Sequence, residues 1–185
     1  MATFAGVLVL GVIPGIALAV SLSVLNFLRI SWRPHSAELV RVDGLKGYHD
    51  VGRHPEGRRV PGLLLFRFDA PLFFANAVVF STALRSEVDE ADPLPGRIVI
   101  TAEPITDIDA TAADELVRVI DELGRRGIEI GFAELKGGVR ERFEAYGVLD
   151  HVPVERLYRT VGEAVRAYVE AYDVDWVDWE DRPKP

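Results

Sequence analysis

The chain has 185 residues, with 21 Lys plus Arg against 29 Asp plus Glu, a formal charge of −8 and a pI near 5.0, which leaves room for one domain and a short extension. The acidic balance excludes a general affinity for nucleic acid, whose phosphates it would repel. The absence of Cys excludes a disulfide framework, a thiolate nucleophile and a thiolate metal site.

The charge is unevenly spread. From Met1 to Leu28 no side chain is charged, a run long enough for the roughly 20 residues that cross the hydrocarbon layer. Arg29 and Arg33 close it with Trp32 between them, which places the following domain in the cytoplasm, at the inner (plasma) membrane, by the positive-inside tendency. The first residues lack the basic n-region of a cleaved signal peptide. Pro14-Gly15 allows one kinked span or two short helices meeting there. The predicted division is a membrane segment over 1–30, a linker over 31–37, a soluble domain over 38–172 and an acidic flexible tail over 173–185.

Residues 29 to 62 read as a linker leading into an edge strand at His35–Val42, followed by a stretch rich in Gly and Pro. Within it Arg53, Arg58 and Arg59 with His54 form a basic patch, either a solvated loop or a contact for anionic lipid headgroups. Leu63–Phe68 is a buried strand, and Leu72-Phe73-Phe74 a second short one. A helix from about Asn76 to Ala91 ends in Glu87, Asp89, Glu90 and Asp92, whose charge opposes the helix dipole and suits solubility or a partner.

The organising stretch is Arg97–Gly127. A strand at Arg97–Ala102 leads through Glu103–Thr111 into an amphipathic helix carrying Ala112, Leu116, Val119, Ile120 and Leu123 at helical spacing. Asp109 and Thr111 both stand where a helix leaves its first N–H groups unsatisfied, and Thr111 with Asp114 has capping-box spacing. Gly124 and Gly127 close the helix and the next strand starts at Ile128. Strand, helix, strand in this order predicts a mostly parallel α/β sheet flanked by helices. A short helix at Val139–Tyr146, a brief strand near Arg156–Tyr158 and a helix capped by Thr160 and Glu163 complete the pattern.

Enzyme chemistry finds no support in these residues, and no cofactor is expected. The histidines at 35, 49, 54 and 151 lack metal-ligand spacing. No phosphate-binding glycine motif occurs, and Gly137-Gly138 suits a tight turn better than an anion cradle. Ser81, Thr82 and Ser86 have no adjacent His and Asp. Asp107 and Asp109 could serve as an acid–base pair, but negative charge before a helix is stabilising in itself. A hydroxyl at Thr111 could instead receive a phosphate held by free N–H groups.

These residues carry a resemblance. The strand, the Asp-Ile-Asp-Ala-Thr loop, the helix and the Gly-Ile-Glu-Ile-Gly-Phe-Ala strand resemble the STAS domain shared by sulfate transporters and anti-sigma-factor antagonists. Gly62 to Ala77, and residues 3–34, resemble the opening of that domain and the last membrane segment in the SulP anion permeases. In antagonist-type domains the loop reads Asp-Ser-Ser-Gly with the second Ser phosphorylated; Asp109 matches the Asp, Thr111 that Ser, and Ala112 replaces the Gly. The resemblance implies the C-terminal part of a SulP-type transporter, with a regulatory, assembly or homodimer-stabilising role and no transport alone. Its implied partners are the rest of the membrane domain, membrane lipid and a regulatory protein or kinase. The alternative is a membrane-tethered signalling module switched at Thr111. Phe73, Phe74 and the acids Glu87, Asp89, Glu90 and Asp92 are the candidate interaction surfaces, with Asp107, Asp109 and Thr111 as the candidate regulatory loop.

Overall fold

The computed structural model describes residues 12–181, with the backbone alone at 27–31 and 181. Two compact units divide at Pro34: residues 1–34 and residues 35–185. In the first, α1 (Val12–Trp32) runs without interruption through Pro14 and Gly15. Apart from Ser21, Ser23 and Asn26 its described side chains are apolar, and they are largely exposed, Ile13 at 82% and Leu25 at 61% among them, the pattern of a helix meant to be covered by protein or lipid. Among the described residues no helix is long and apolar enough to cross a membrane; residues 1–11 of the apolar run lie outside the described residues.

The second unit is a six-stranded sheet in the order β2-β1-β3-β4-β5-β6. The strands are β1 (Ser36–Arg41), β2 (Tyr48–Asp50), β3 (Leu63–Phe68), β4 (Arg97–Thr101), β5 (Glu129–Ala133) and β6 (Leu157–Tyr158). Neighbours from β3 to β6 are parallel, while β1 pairs antiparallel with β2 and β3. The edge position expected for β1 is therefore taken by β2, a strand of three residues too short to leave a periodic signal.

The central strands read as unbroken apolar runs because both of their faces are covered. Leu64, Phe66, Phe68, Ile98, Ile100, Ile130 and Phe132 face the helices α2 (Ala77–Glu90), α3 (Ala110–Arg125) and α4 (Gly137–Ala145). Phe80 of α2 meets Phe66 and Phe68 edge-on at 5.8 and 5.3 Å, the geometry aromatic quadrupoles favour. On the opposite face Leu63, Leu65, Val99 and Tyr158 pack under α5 (Val161–Tyr172) through Val161, Ala164, Val165 and Tyr168.

Helix ends follow from local chemistry. Thr160 caps α5 by accepting from the Glu163 N–H at 3.1 Å, and the Glu163 carboxylate reaches back to the Arg159 N–H at 2.9 Å. At the end of α3, Gly127 has φ +78° and the Ile128 N–H returns to the Leu123 carbonyl at 3.0 Å. This is a Schellman stop, so Gly127 alone ends the helix, with Gly124 inside it.

The acidic stretch beyond Asp173, expected as a flexible tail, lies against the antiparallel edge as far as Glu180. Arg41, 3% exposed, donates to Asp178 at 2.8 to 3.0 Å and lies between the rings of Tyr48 and Trp179. Burial pushes the Asp178 carboxyl up, but the Arg41 hydrogen bond, the Glu180 N–H and the charges of Arg41 and Arg58 together outweigh it and hold the group below its ordinary value.

Candidate functional site

Two loops meet beyond the C-terminal ends of β3 and β4. The first, Pro71–Asn76, is shaped by Asn76, whose Oδ1 accepts from the Phe73 N–H and whose Nδ2 donates to the Pro71 carbonyl, both at 2.9 Å. The second, Glu103–Asp109, is pinned from below by Ile105 and Ile108, which are essentially buried. Leu72 joins them as an isolated parallel bridge to Ile108; the short strand expected at Leu72–Phe74 is this single bridge followed by a turn. Its two backbone hydrogen bonds, to the Asp107 carbonyl and from the Asp109 N–H, measure 2.9 and 3.1 Å.

Asp109 ties the loops to the helix. Its Oδ1 accepts from the Ala112 N–H at 2.8 Å, which makes it the N-cap of α3, and its Oδ2 accepts from the Phe74 N–H at 2.8 Å. The capping expected of Thr111 thus falls to Asp109 alone. Thr111 stands inside the first turn with its side chain exposed, and the Thr111–Asp114 spacing is not a cap. Asp107 accepts from the Ile108 N–H at 2.7 Å and forms an ion pair with Arg142 of α4.

The result is an exposed apolar surface beside the loops. Phe74 is 69% exposed, and Val78 one turn further on is 64% exposed, next to the half-buried Phe73 ring at 5.7 Å. A cleft of about 470 Å³ lies between Leu72, Phe73, Asp107, Asp109 and Arg142. Both carboxylates are engaged in holding backbone or pairing with a cation, which leaves no free acid–base pair. Sequence reasoning missed Asn76 and Arg142. An Asn directly before a helix reads as an N-cap, whereas this side chain holds the loop ahead of it. Arg142 is brought to Asp107 only by the fold.

The acidic candidates belong to a separate place. α2 is 14 residues long, about 21 Å at 1.5 Å per residue, so Phe74 and the acids at Glu87–Asp92 lie at its opposite ends. Asp89 pairs with Arg126 at 2.7 Å and Glu90 accepts from Ser86 at 2.8 Å. Glu87 faces a cleft of about 400 Å³ with Glu38, Arg59 and Asp92. Burial, then the charges of Glu38 and Glu90, push the Glu87 carboxyl above its ordinary value. A raised carboxyl favours the folded state at low pH and loses that contribution as pH rises through its folded value. Glu87→Gln is therefore expected to raise the thermal midpoint at pH 7 and to leave it unchanged at pH 3.5; an unchanged midpoint at pH 7 would count against the repulsion. The basic patch is largely neutralised: Arg58 pairs with Asp43 at 2.9 Å, Arg59 with Glu38 at 2.8 Å and His54 with Glu56 at 3.1 Å.

The STAS domain family profile matches residues 54–164, a span from the end of the Gly-rich stretch to the start of α5. The chain belongs to the STAS domain family. It is 40% identical over 171 residues to the probable sulfate transporter Rv1739c of Mycobacterium tuberculosis, covering 91% of this chain and 30% of that protein. The chain thus spans 26–30% of the length of the sulfate transporters it matches. The murine anion transporter Slc26a9 superposes with a TM-score of 0.74 at 16% identity, over 85% of this chain and 25% of that one. The STAS domain of a Vibrio cholerae SulP transporter superposes with a TM-score of 0.54 at 18% identity, over 66% of this chain and 93% of that one. In this STAS domain the loop surface is the one built on Asp109, and its helix begins one residue before Thr111.

Proposed function

We infer that this chain is the C-terminal part of a SulP-type anion transporter: a terminal membrane segment followed by a cytoplasmic STAS domain that regulates or assembles the transporter and moves no anion alone. One observation carries the reading. A similarity that covers 91% of the chain must take in part of residues 1–34, because the folded domain occupies only 35–185. The likeness to a sulfate transporter therefore extends from the domain into the apolar segment that precedes it. An α1 with largely exposed apolar side chains is what a helix lying among other membrane helices requires.

The work of the STAS domain in this reading is recognition. The Phe74–Val78 surface, set by Asp109, is its docking face toward the membrane part, and no residue has a catalytic role. The test is co-expression with the membrane part of a sulfate transporter from which its own STAS domain has been removed. The chain is expected to restore sulfate uptake, Phe74→Glu to abolish the restoration, and the chain alone to give none. Sulfate uptake by the chain alone, or restoration untouched by Phe74→Glu, would overturn the reading.

A further inference from the structure

Beyond α5 the chain turns through Asp173, whose φ of +47° is the left-handed conformation that a side chain adopts at a cost, and residues 174–180 run back against β1. Among the described residues this segment pairs with no strand. Side chains hold it.

Two arginines form its seat. One terminal nitrogen of Arg41 donates to the carbonyls of Leu45 and Gly47, at 3.2 and 2.5 Å, and its guanidinium lies 5.3 Å from the centre of the Tyr48 ring. The β1–β2 turn therefore sets the guanidinium in place without help from the segment, and a preset donor binds with less loss of freedom. Its Nε and other terminal nitrogen are left for the segment. They grip Asp178 at 2.8 to 3.0 Å, with Glu180 at 3.2 Å and the Trp179 ring at 5.4 Å. Arg58 lies 4.5 Å from the Trp176 ring and donates to the Val177 carbonyl at 3.2 Å, while Trp176 packs beside the cluster that holds Leu39 and Val60.

The contacts read a sequence. An arginine fork matches the plane of a carboxylate, and indole is the ring that attracts a cation most strongly, so the seat fits Trp-x-Asp-Trp as it stands at Trp176 to Trp179. The only other tryptophan of the chain is Trp32, so this segment is the one occupant a copy of the chain can offer. The seat does not distinguish its own segment from that of another copy. A short tie gives the cis segment an effective concentration on the order of millimolar, and a second copy held alongside reaches the same range. Exchange loses no contact, because the same bonds form in trans.

We propose that the edge carrying Arg41 and Arg58 is a docking site for residues 176–180 of a second copy of this chain, two copies exchanging these segments by pivoting at Asp173. In the single chain the site is filled in cis. It is separate from the Phe74 surface and does not rest on the transporter reading.

The chain has no Cys, which allows single cysteines to report on the exchange. Leu45 and Glu180 are both exposed and both partners of Arg41. Full chains with Leu45→Cys and differently tagged full chains with Glu180→Cys are mixed in non-ionic micelles and treated with a short bis-maleimide. This pair is expected to cross-link at least about tenfold faster than a pair with Arg118→Cys and Glu180→Cys, since Arg118 is exposed on α3, which covers the other face of the sheet. A synthetic peptide of residues 174–180 is expected to suppress the cross-link, and the same peptide with Asp178→Asn to be roughly tenfold less effective, as loss of a charge-assisted fork requires. On the unmodified chain, excess peptide is expected to shift the indole N–H resonances of Trp176 and Trp179 and to leave that of Trp32 in place. Cross-linking no faster than that of the Arg118 pair, cross-linking untouched by the peptide, or indole resonances that do not move would overturn the proposal. So would cross-linking confined to chains that carry both Leu45→Cys and Glu180→Cys, the behaviour of a fixed strap.

Discussion

Arg97→Ala is expected to destabilise the domain by about 3 kcal/mol, the cost of breaking a largely buried ion pair from one side. Arg97 is 8% exposed and opens β4 at the end of the sheet away from the loop surface. Its Nε and one terminal nitrogen donate to Glu129 at 2.8 and 2.6 Å, and the other donates to the Tyr158 hydroxyl at 3.3 Å. The guanidinium also lies over the rings of Tyr168 and Tyr172, at 5.5 and 5.2 Å from their centroids. One side chain thus fastens β4 to β5 and holds the C-terminal half of α5 on the sheet.

Removing it leaves Glu129 to Arg156 and to the Tyr172 hydroxyl, and strips two aromatic faces of their cation. For a domain of this size the fall in thermal midpoint is about 6–12 °C. Arg97→Lys is not expected to rescue it, since an ammonium cannot reproduce the two-donor fork. The pH dependence has a definite sign. Burial raises the Glu129 carboxyl, but the hydrogen bonds from Arg97 and Tyr172 outweigh it and hold the group below its ordinary value. A depressed carboxyl contributes stability above its unfolded pKa and loses it as pH falls through the folded value. The gap between Arg97→Ala and the parent should therefore narrow below about pH 4. Thermal unfolding followed by circular dichroism at pH 7 and pH 3.5 checks both statements. A loss under about 1 kcal/mol at pH 7, the size of an exposed pair, would contradict this reading.

Asp109→Ala is the second large effect, about 2 kcal/mol. Loss of an N-cap costs roughly 1 kcal/mol, and the carboxylate also accepts from the Phe74 N–H, a charge-assisted bond of comparable or greater worth. Asp109→Asn, with a single carbonyl acceptor, should keep only one of the two bonds and fall between. Thr111→Ala should stay within about 0.5 kcal/mol of the parent, as an exposed substitution away from any cap. Amide hydrogen exchange supplies the local reading: in Asp109→Ala the Phe74 amide is expected to exchange much faster, and in Thr111→Ala to remain as in the parent. Equal losses at the two positions would return the cap to Thr111.

These positions also show what a sequence can and cannot disclose. The run Ile98-Val99-Ile100 and the helical spacing of Leu116, Val119, Ile120 and Leu123 announce a covered parallel strand and an amphipathic helix, and both are found. Asp109 and Thr111 are equally good caps by local spacing. The choice between them is made by Phe74, 35 residues away in sequence, which only the fold brings near. The same holds for Arg41, whose partner Asp178 is 137 residues further on; read alone, Trp176 to Glu180 is an acidic tail, and Arg41 an odd charge in a strand. The surface candidates at Phe73 and Phe74 and at Glu87 to Asp92 flank one helix by sequence, and the length of that helix keeps them apart.

The measurement that bears most directly on the central claim is alkaline extraction of membranes from cells making the full chain, beside cells making residues 35–185 alone. The full chain is expected to remain in the membrane pellet, carried by the apolar segment that ends at Arg29, while residues 35–185 appear in the supernatant. Recovery of the full chain in the supernatant would contradict the reading of this STAS domain as the tail of a membrane transporter.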